Sequence, residues 1–119
     1  MMIGIDILEV QRVKSFLDNT KFLKNIFFQS EIDYFLKFND PCERIAGFFC
    51  AKEAVKKALC CENNISFLDI EILHKDSGQP YVILHNNAEF IFKKNNYKNI
   101  EISISHTKTL ATAICKIDN

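Results

Sequence analysis

The sequence predicts an α+β fold: a mainly antiparallel sheet packed against one long helix and several short helices, in one domain spanning 1–119. Three observations carry this expectation. Apolar residues alternate with period two near both ends of the chain, in Met2 to Leu8 and in Asn99 to Ser105, and Leu110 to Lys116 reads as a further strand after the second of these. A turn signature, Lys75-Asp76-Ser77-Gly78-Gln79, separates two strand-like runs, Phe67 to His74 and Pro80 to Leu84. Between these regions, Asp40-Pro41-Cys42-Glu43 opens a long helical stretch, with Asp at the N-cap, Pro in the first helical position and Glu three residues after the cap.

Taken in order, Met2 to Leu8 reads as a buried strand, with Ile3, Ile5 and Ile7 on one face and Gly4, Asp6 and Leu8 on the other. From Glu9 the spacing of Val10, Val13, Phe16 and Leu17 is helical and ends at Asn19-Thr20. Phe22, Leu23, Ile26, Phe27 and Phe28 form a short apolar helical segment, and Ser30 is placed to cap a helix through Tyr34, Phe35 and Phe38. The long helix is expected to end near Cys60, and Asn86 or Asn87 to cap a further helix through Lys94. His106-Thr107-Lys108-Thr109 joins the last two strands.

Composition narrows function before any motif is considered. With three glycines, Gly4, Gly47 and Gly78, the chain can hold neither a G-x-G-x-x-G dinucleotide loop nor a P-loop. Fifteen basic residues balance fifteen acidic ones, which argues against a surface devoted to nucleic acid. Five cysteines, odd in number and without a C-x-x-C pair, read as reduced thiols of a cytoplasmic protein. No run approaches the ~20 apolar residues of a membrane span, and the amino terminus lacks a basic leader.

Three places carry chemistry. Asp6, between Ile5 and Ile7, is a carboxylate that needs a cation, a backbone N–H or a metal ion as partner. On the long helix Lys52, Glu53, Lys56 and Lys57 interrupt an apolar run; Glu53 and Lys57 share a face, either as an ion pair on a solvated stripe or as functional groups. Small Ala51, Ala54 and Ala58 surround them and permit close approach of another element. In Ile102-Ser103-Ile104-Ser105-His106 the alternation sets Ser103 and Ser105 opposite His106, which has no acid motif beside it. His74 and His85 flank the hairpin as ordinary surface or edge residues.

Together, Gly4-Ile5-Asp6-Ile7 with Glu9 and Arg12, Phe49-Cys50-Ala51-Lys52-Glu53-Ala54 with Lys57-Ala58, Asp69-Ile70-Glu71-Ile72 with Gly78-Gln79-Pro80-Tyr81, and Ser103-Ile104-Ser105-His106 resemble the bacterial holo-acyl-carrier-protein synthases, the small 4'-phosphopantetheinyl transferases. The resemblance spans nearly the whole chain, with the motifs in the family's order. It implies Mg²⁺-dependent transfer of phosphopantetheine from coenzyme A to a serine of apo acyl carrier protein, releasing adenosine 3',5'-bisphosphate, with a place in fatty acid biosynthesis. Asp6 and Glu53 match the family's metal carboxylates, Lys57 the lysine beside the phosphates, and Ser105 and His106 the strand end bordering coenzyme A. The general base is left between Glu53 and a metal-bound water. The resemblance further implies a homotrimer with sites between subunits and an acidic carrier, for which Arg12, Lys14, Lys21 and Lys24 offer a basic docking surface. A non-catalytic carrier-binding module and a Mg²⁺-dependent phosphohydrolase are the competing readings. Two positions depart from the family pattern. Phe48 stands where many relatives have Arg, and Cys60-Cys61-Glu62-Asn63-Asn64 replaces a Gly-Thr-Gly turn, with Asn available for left-handed conformations.

Overall fold

The computed structural model describes residues 1–60 and 64–119. Among the described residues five strands and five α-helices follow one another as β1 (Met2–Glu9), α1 (Lys14–Leu17), α2 (Thr20–Ile26), α3 (Gln29–Phe35), α4 (Cys42–Leu59), β2 (Ile70–His74), β3 (Pro80–Leu84), α5 (Asn86–Lys94), β4 (Asn99–His106) and β5 (Leu110–Asp118). The strands form two antiparallel sheets rather than one, β1-β5-β4 and the hairpin β2-β3. In the larger sheet Asp6 lies opposite Ala113, which lies opposite Ile104, so these three share one row.

Helix α4 lies across the inner face of this sheet, made by Gly4 of β1, Ile102 of β4 and Ala111, Ala113, Cys115 and Ile117 of β5. The approach is so close that a Cβ on Gly4 would overlap the Ala54 carbonyl oxygen and stand 2.7 Å from the Ala58 nitrogen. Only glycine fits there. Ala51, Ala54 and Ala58 of α4 are completely buried at this crossing, which is the close approach their size allows.

The opposite face of β1 is not buried. Ile3, Ile5 and Ile7 are 54%, 60% and 64% exposed, and Leu110 and Ile114 of β5 join them on the outer side of the sheet. The alternation is as expected, but α4 covers the glycine-bearing face and leaves the isoleucine face open.

Several boundaries differ from the sequence expectation for local reasons. The segment after β1 is a 3-10 turn, Val10–Val13, before α1. Helix α3 is capped at Phe28, whose N–H donates to the Glu31 carboxylate at 2.7 Å, while the Ser30 hydroxyl donates to Glu71 instead. Helix α4 starts at Cys42, with the Asp40 carboxylate accepting from the Cys42 N–H at 3.2 Å. Phe67–Asp69 is a 3-10 turn capped by Ser66, so β2 begins only at Ile70. Helix α5 takes His85 as its N-cap, with no side-chain cap from either asparagine. Cys60 ends α4 in the left-handed region at φ 58°; 61–63, which contain most of the departing turn, lie outside the described residues. Among the described residues Cys42, Cys50, Cys60 and Cys115 carry free thiols.

Candidate active site

The crossing of β1 and α4 brings Asp6 and Lys57 together, with Glu53 one helical turn before Lys57. The Asp6 side chain emerges on the inner face of β1, and the Lys57 ammonium, one turn beyond Glu53 on α4, reaches it at 3.4 Å. The same ammonium donates to the Ile5 carbonyl at 3.0 Å, which fixes it beside the strand. Lys57 is 43% exposed and Asp6 19%, so this is a solvent-facing group of charges. The Cys50 thiol reports on the same cluster. Its pKa is pushed up to about 12, first by burial, then by the charge and hydrogen bonding of Asp6 and the charge of Glu53, with Lys57 opposing. Cys50 also donates to the Ala111 carbonyl at 3.6 Å, fixing it between α4 and β5.

As a cation site this cluster supplies two hard carboxylate donors, Asp6 and Glu53, and among the described residues no group of three or more metal-ligating side chains exists. Two carboxylates completed by phosphate oxygens and water match what Mg²⁺ ordinarily takes, whereas a dedicated protein cage does not. The donor set fits the ion that the family resemblance implies.

His106 is in a different place. Its Nδ1 lies 3.0 Å from Glu43 at the start of α4, ten residues and so about 15 Å of helix from Glu53. Ser105 projects on the outer face of β4, opposite His106, as the alternation requires. His106 opens onto a cleft of about 200 Å³ that Tyr34, Arg44, Phe48, His74 and Pro80 also line. His74 is not an ordinary surface residue. It stacks on Tyr34 at 4.3 Å between ring centres and on Phe48 at 5.4 Å, and burial, with the charge of Lys37, holds its pKa below the usual histidine value. His85 is paired at 2.9 Å with Glu71. Phe48, placed where the resemblance expects arginine, is 3% exposed within this stack. The nearby guanidinium is that of Arg44, which lines the cleft and lies 3.9 Å over the Phe38 ring.

Lys52 and Lys56 of α4 do not share the solvent-facing side of Lys57. Lys52 is wholly buried in an ion pair with Glu31 at 2.7 Å, and Lys56, 9% exposed, lies 3.7 Å over the Phe67 ring. Arg12, Lys14, Lys21 and Lys24 are all exposed along the Val10–Ile26 segment. Sequence reasoning missed Glu43, Arg44 and the Lys52–Glu31 pair. Glu43 and Arg44 carry a helical signal, since they start the helix whose later turn holds Glu53, but their partners are more than 60 and only six residues away respectively, and no spacing rule links them.

One long helix strapped to an antiparallel sheet, with Asp6 and Lys57 paired where they cross, defines an α+β protein with a charged group at that crossing. The chain belongs to the 4'-phosphopantetheinyl transferase superfamily, which it matches over residues 2–115. It is 48% identical over 117 residues to a holo-acyl-carrier-protein synthase of Clostridium perfringens, covering 93% of this chain and 88% of that one. A holo-acyl-carrier-protein synthase of Thermoanaerobacter sp. is 45% identical over 113 residues, covering 93% and 82%. Among solved structures, the Helicobacter pylori holo-acyl-carrier-protein synthase in complex with coenzyme A superposes with a TM-score of 0.84 at 33% identity, covering 98% of this chain and all of that one.

Proposed function

We propose that this chain is a holo-acyl-carrier-protein synthase, moving 4'-phosphopantetheine from coenzyme A to a serine of apo acyl carrier protein and releasing adenosine 3',5'-bisphosphate. The observation that carries the reading is the pairing of Lys57 with Asp6 where α4 crosses β1, with Glu53 one helical turn before Lys57 on the same face of α4. Asp6 and Glu53 would hold Mg²⁺, and the bound ion would neutralise charge on the pyrophosphate. Glu53 accepts the proton of the serine hydroxyl, since a carboxylate has lone pairs enough to serve a cation and a proton at once. The serine oxygen forms a bond to the β-phosphorus as the bridging oxygen departs with its electron pair on the nucleotide. Lys57, held by the Ile5 carbonyl, meets the charge developing on that leaving phosphate.

The cleft beside His106 is too small for a whole cofactor, since ligand sites run to about 300–1,000 Å³. It takes part of coenzyme A, bordered by His106, with Arg44 supplying the cation that Phe48 does not; Ser105, expected at the same border, lies on the opposite face of β4. The assembly is a homotrimer. β1 and β4 are the two edge strands of the larger sheet, so a head-to-tail contact sets the Asp6 cluster of one copy near the His106 cleft of the next, and three such contacts close a ring. The open face of Ile3, Ile5, Ile7, Leu110 and Ile114 supports such a contact, because apolar surface of this extent is rare on a monomer. The carrier docks on Arg12, Lys14, Lys21 and Lys24. All of 1–119 acts as one domain in the cytoplasm, and among the described residues no helix is long and apolar enough to cross a membrane.

The test is to incubate the protein with apo carrier protein, coenzyme A and Mg²⁺ and to weigh the carrier. A gain of one phosphopantetheine is expected; an unmodified carrier at stoichiometric enzyme refutes the proposal.

A further inference from the structure

Lys52 precedes Glu53 in sequence, yet its side chain runs into the interior and serves no role in the chemistry above. Its three N–H groups are shared among four acceptors, Glu31 Oε1 at 2.7 Å, the carbonyls of Ile26 and Ile70 at 2.8 Å and that of Phe67 at 3.1 Å. Glu31, equally buried, also accepts from the N–H of Phe28 at 2.7 Å and of Ile72 at 2.9 Å. These partners come from the end of α2, the first turn of α3 and the entry into β2. One ammonium therefore gathers three segments onto a single turn of α4. At 100° per residue, Lys52 faces away from Ala54, the residue that locks α4 to Gly4 of β1. The helix is thus held on two opposite sides by independent contacts, one to the sheet that carries Asp6 and one to the segment that carries Lys21 and Lys24.

We propose that Lys52 is a positioning residue for the protein substrate: it fixes the basic α2 segment relative to the turn of α4 that bears Glu53, so that a carrier docked on Lys21 and Lys24 delivers its serine to the site. This rests on the transferase reading and on that docking surface. Because α4 keeps its attachment to β1, removing the Lys52 anchor leaves Asp6, Glu53 and Lys57 assembled and loosens the end of α2 together with the start of α3 and the entry into β2, while Tyr34 of α3 and His74 of β2, which line the cleft, stay stacked on Phe48 of α4.

The experiment measures steady-state transfer with apo carrier and coenzyme A varied separately, in Lys52→Met and in Lys52→Met/Glu31→Gln, which removes both buried charges. The expected result is a rise of about fivefold or more in KM for the carrier, with kcat and KM for coenzyme A within about twofold of the parent. A purely structural lysine would lower Tm and leave the carrier KM of the folded enzyme unchanged. That outcome, or an equal change in the coenzyme A parameters, overturns the proposal. If neither variant folds, hydrogen exchange in the parent decides: the Phe27 amide, bonded to the Leu23 carbonyl at the end of α2, should exchange as slowly as those of α4, and fast exchange there refutes the anchor. A parent that leaves the carrier unmodified defeats the transferase reading itself, whereas an active parent with an unaltered variant KM defeats only the role given to Lys52.

Discussion

Replacing Gly4 by alanine tests the link between packing and chemistry most directly. The new methyl would overlap the Ala54 carbonyl oxygen and crowd the Ala58 nitrogen, and both are helix backbone, which no side-chain rotation can move aside. β1 must withdraw from α4 by about 1 Å or more, and overpacking of this kind costs about 2–3 kcal/mol. With an unfolding entropy of about 2.1 cal/mol/K per residue over 119 residues, Tm falls by about 8–12 °C. The same displacement carries Asp6 away from Glu53 and Lys57. A misplacement of this size costs about 100-fold in rate. Thermal denaturation measures the first effect, and mass analysis of the carrier at a temperature where the variant is fully folded measures the second. If Gly4→Ala keeps the parent's Tm within about 2 °C and its transfer rate, the close crossing of β1 and α4 does not set the geometry of the site, and the link from Gly4 to Asp6 is refuted.

Other outcomes are expected on the same grounds. Asp6→Asn and Glu53→Gln should each lower transfer by about 100-fold or more while leaving the circular dichroism spectrum intact; near-parental rates in either would remove that carboxylate from the site. Transfer at sub-saturating carrier should fall as salt is raised, and Lys21→Gln/Lys24→Gln should flatten that dependence, as a titration with NaCl would reveal. Ile5→Asp, placed on the open isoleucine face, should yield monomers in sedimentation and lose activity together; a folded, active monomer would disprove the shared site. In Glu71, burial raises the carboxyl pKa but the hydrogen bonds from Ser30 and His85 and the charges of His85 and Lys52 outweigh it, so the folded value lies below 4.5. A depressed carboxylate stabilises the fold above its unfolded pKa and loses that contribution as pH falls through the folded value. Glu71→Gln should therefore lose less Tm than the parent between pH 6 and pH 3.

What the sequence revealed depended on how local the controlling interactions were. Strand alternation and the turn at Gly78 are set by neighbours in the chain: β1 and β4 stand where period-two reading places them, and β3 where the turn does. Which face of a strand is covered is a tertiary matter: the isoleucine face of β1 looks more suitable for burial than the face carrying Gly4 and Asp6, until the need for a helix to come within backbone contact is considered. Glycine was the informative residue there. Ser30 illustrates the same limit. It has the chemistry of a cap, but Glu31 reaches the Phe28 N–H first, and the serine hydroxyl turns to Glu71, 41 residues distant in sequence.

The four charged residues of α4 show why the site was legible in part. Residue type and spacing placed Glu53 and Lys57 on one face, and the site uses that face. The same spacing describes Lys52 and Lys56 equally well as solvated, yet burial has pushed the Lys52 ammonium toward lower pKa and the Glu31 carboxyl toward higher, against the pull of their mutual attraction and backbone bonds. Such a pair is costly to break and cheap to replace: losing one partner strands a charge and costs about 3–5 kcal/mol, whereas neutralising both is often close to neutral. Lys52→Met should thus unfold at distinctly lower denaturant than the parent, and Lys52→Met/Glu31→Gln should recover most of the loss. Recovery of stability without recovery of the carrier KM would separate what the ammonium does for the fold from what it does for the substrate. A double variant no more stable than Lys52→Met would show instead that the three carbonyls of Ile26, Phe67 and Ile70, and not Glu31, are what the ammonium chiefly serves.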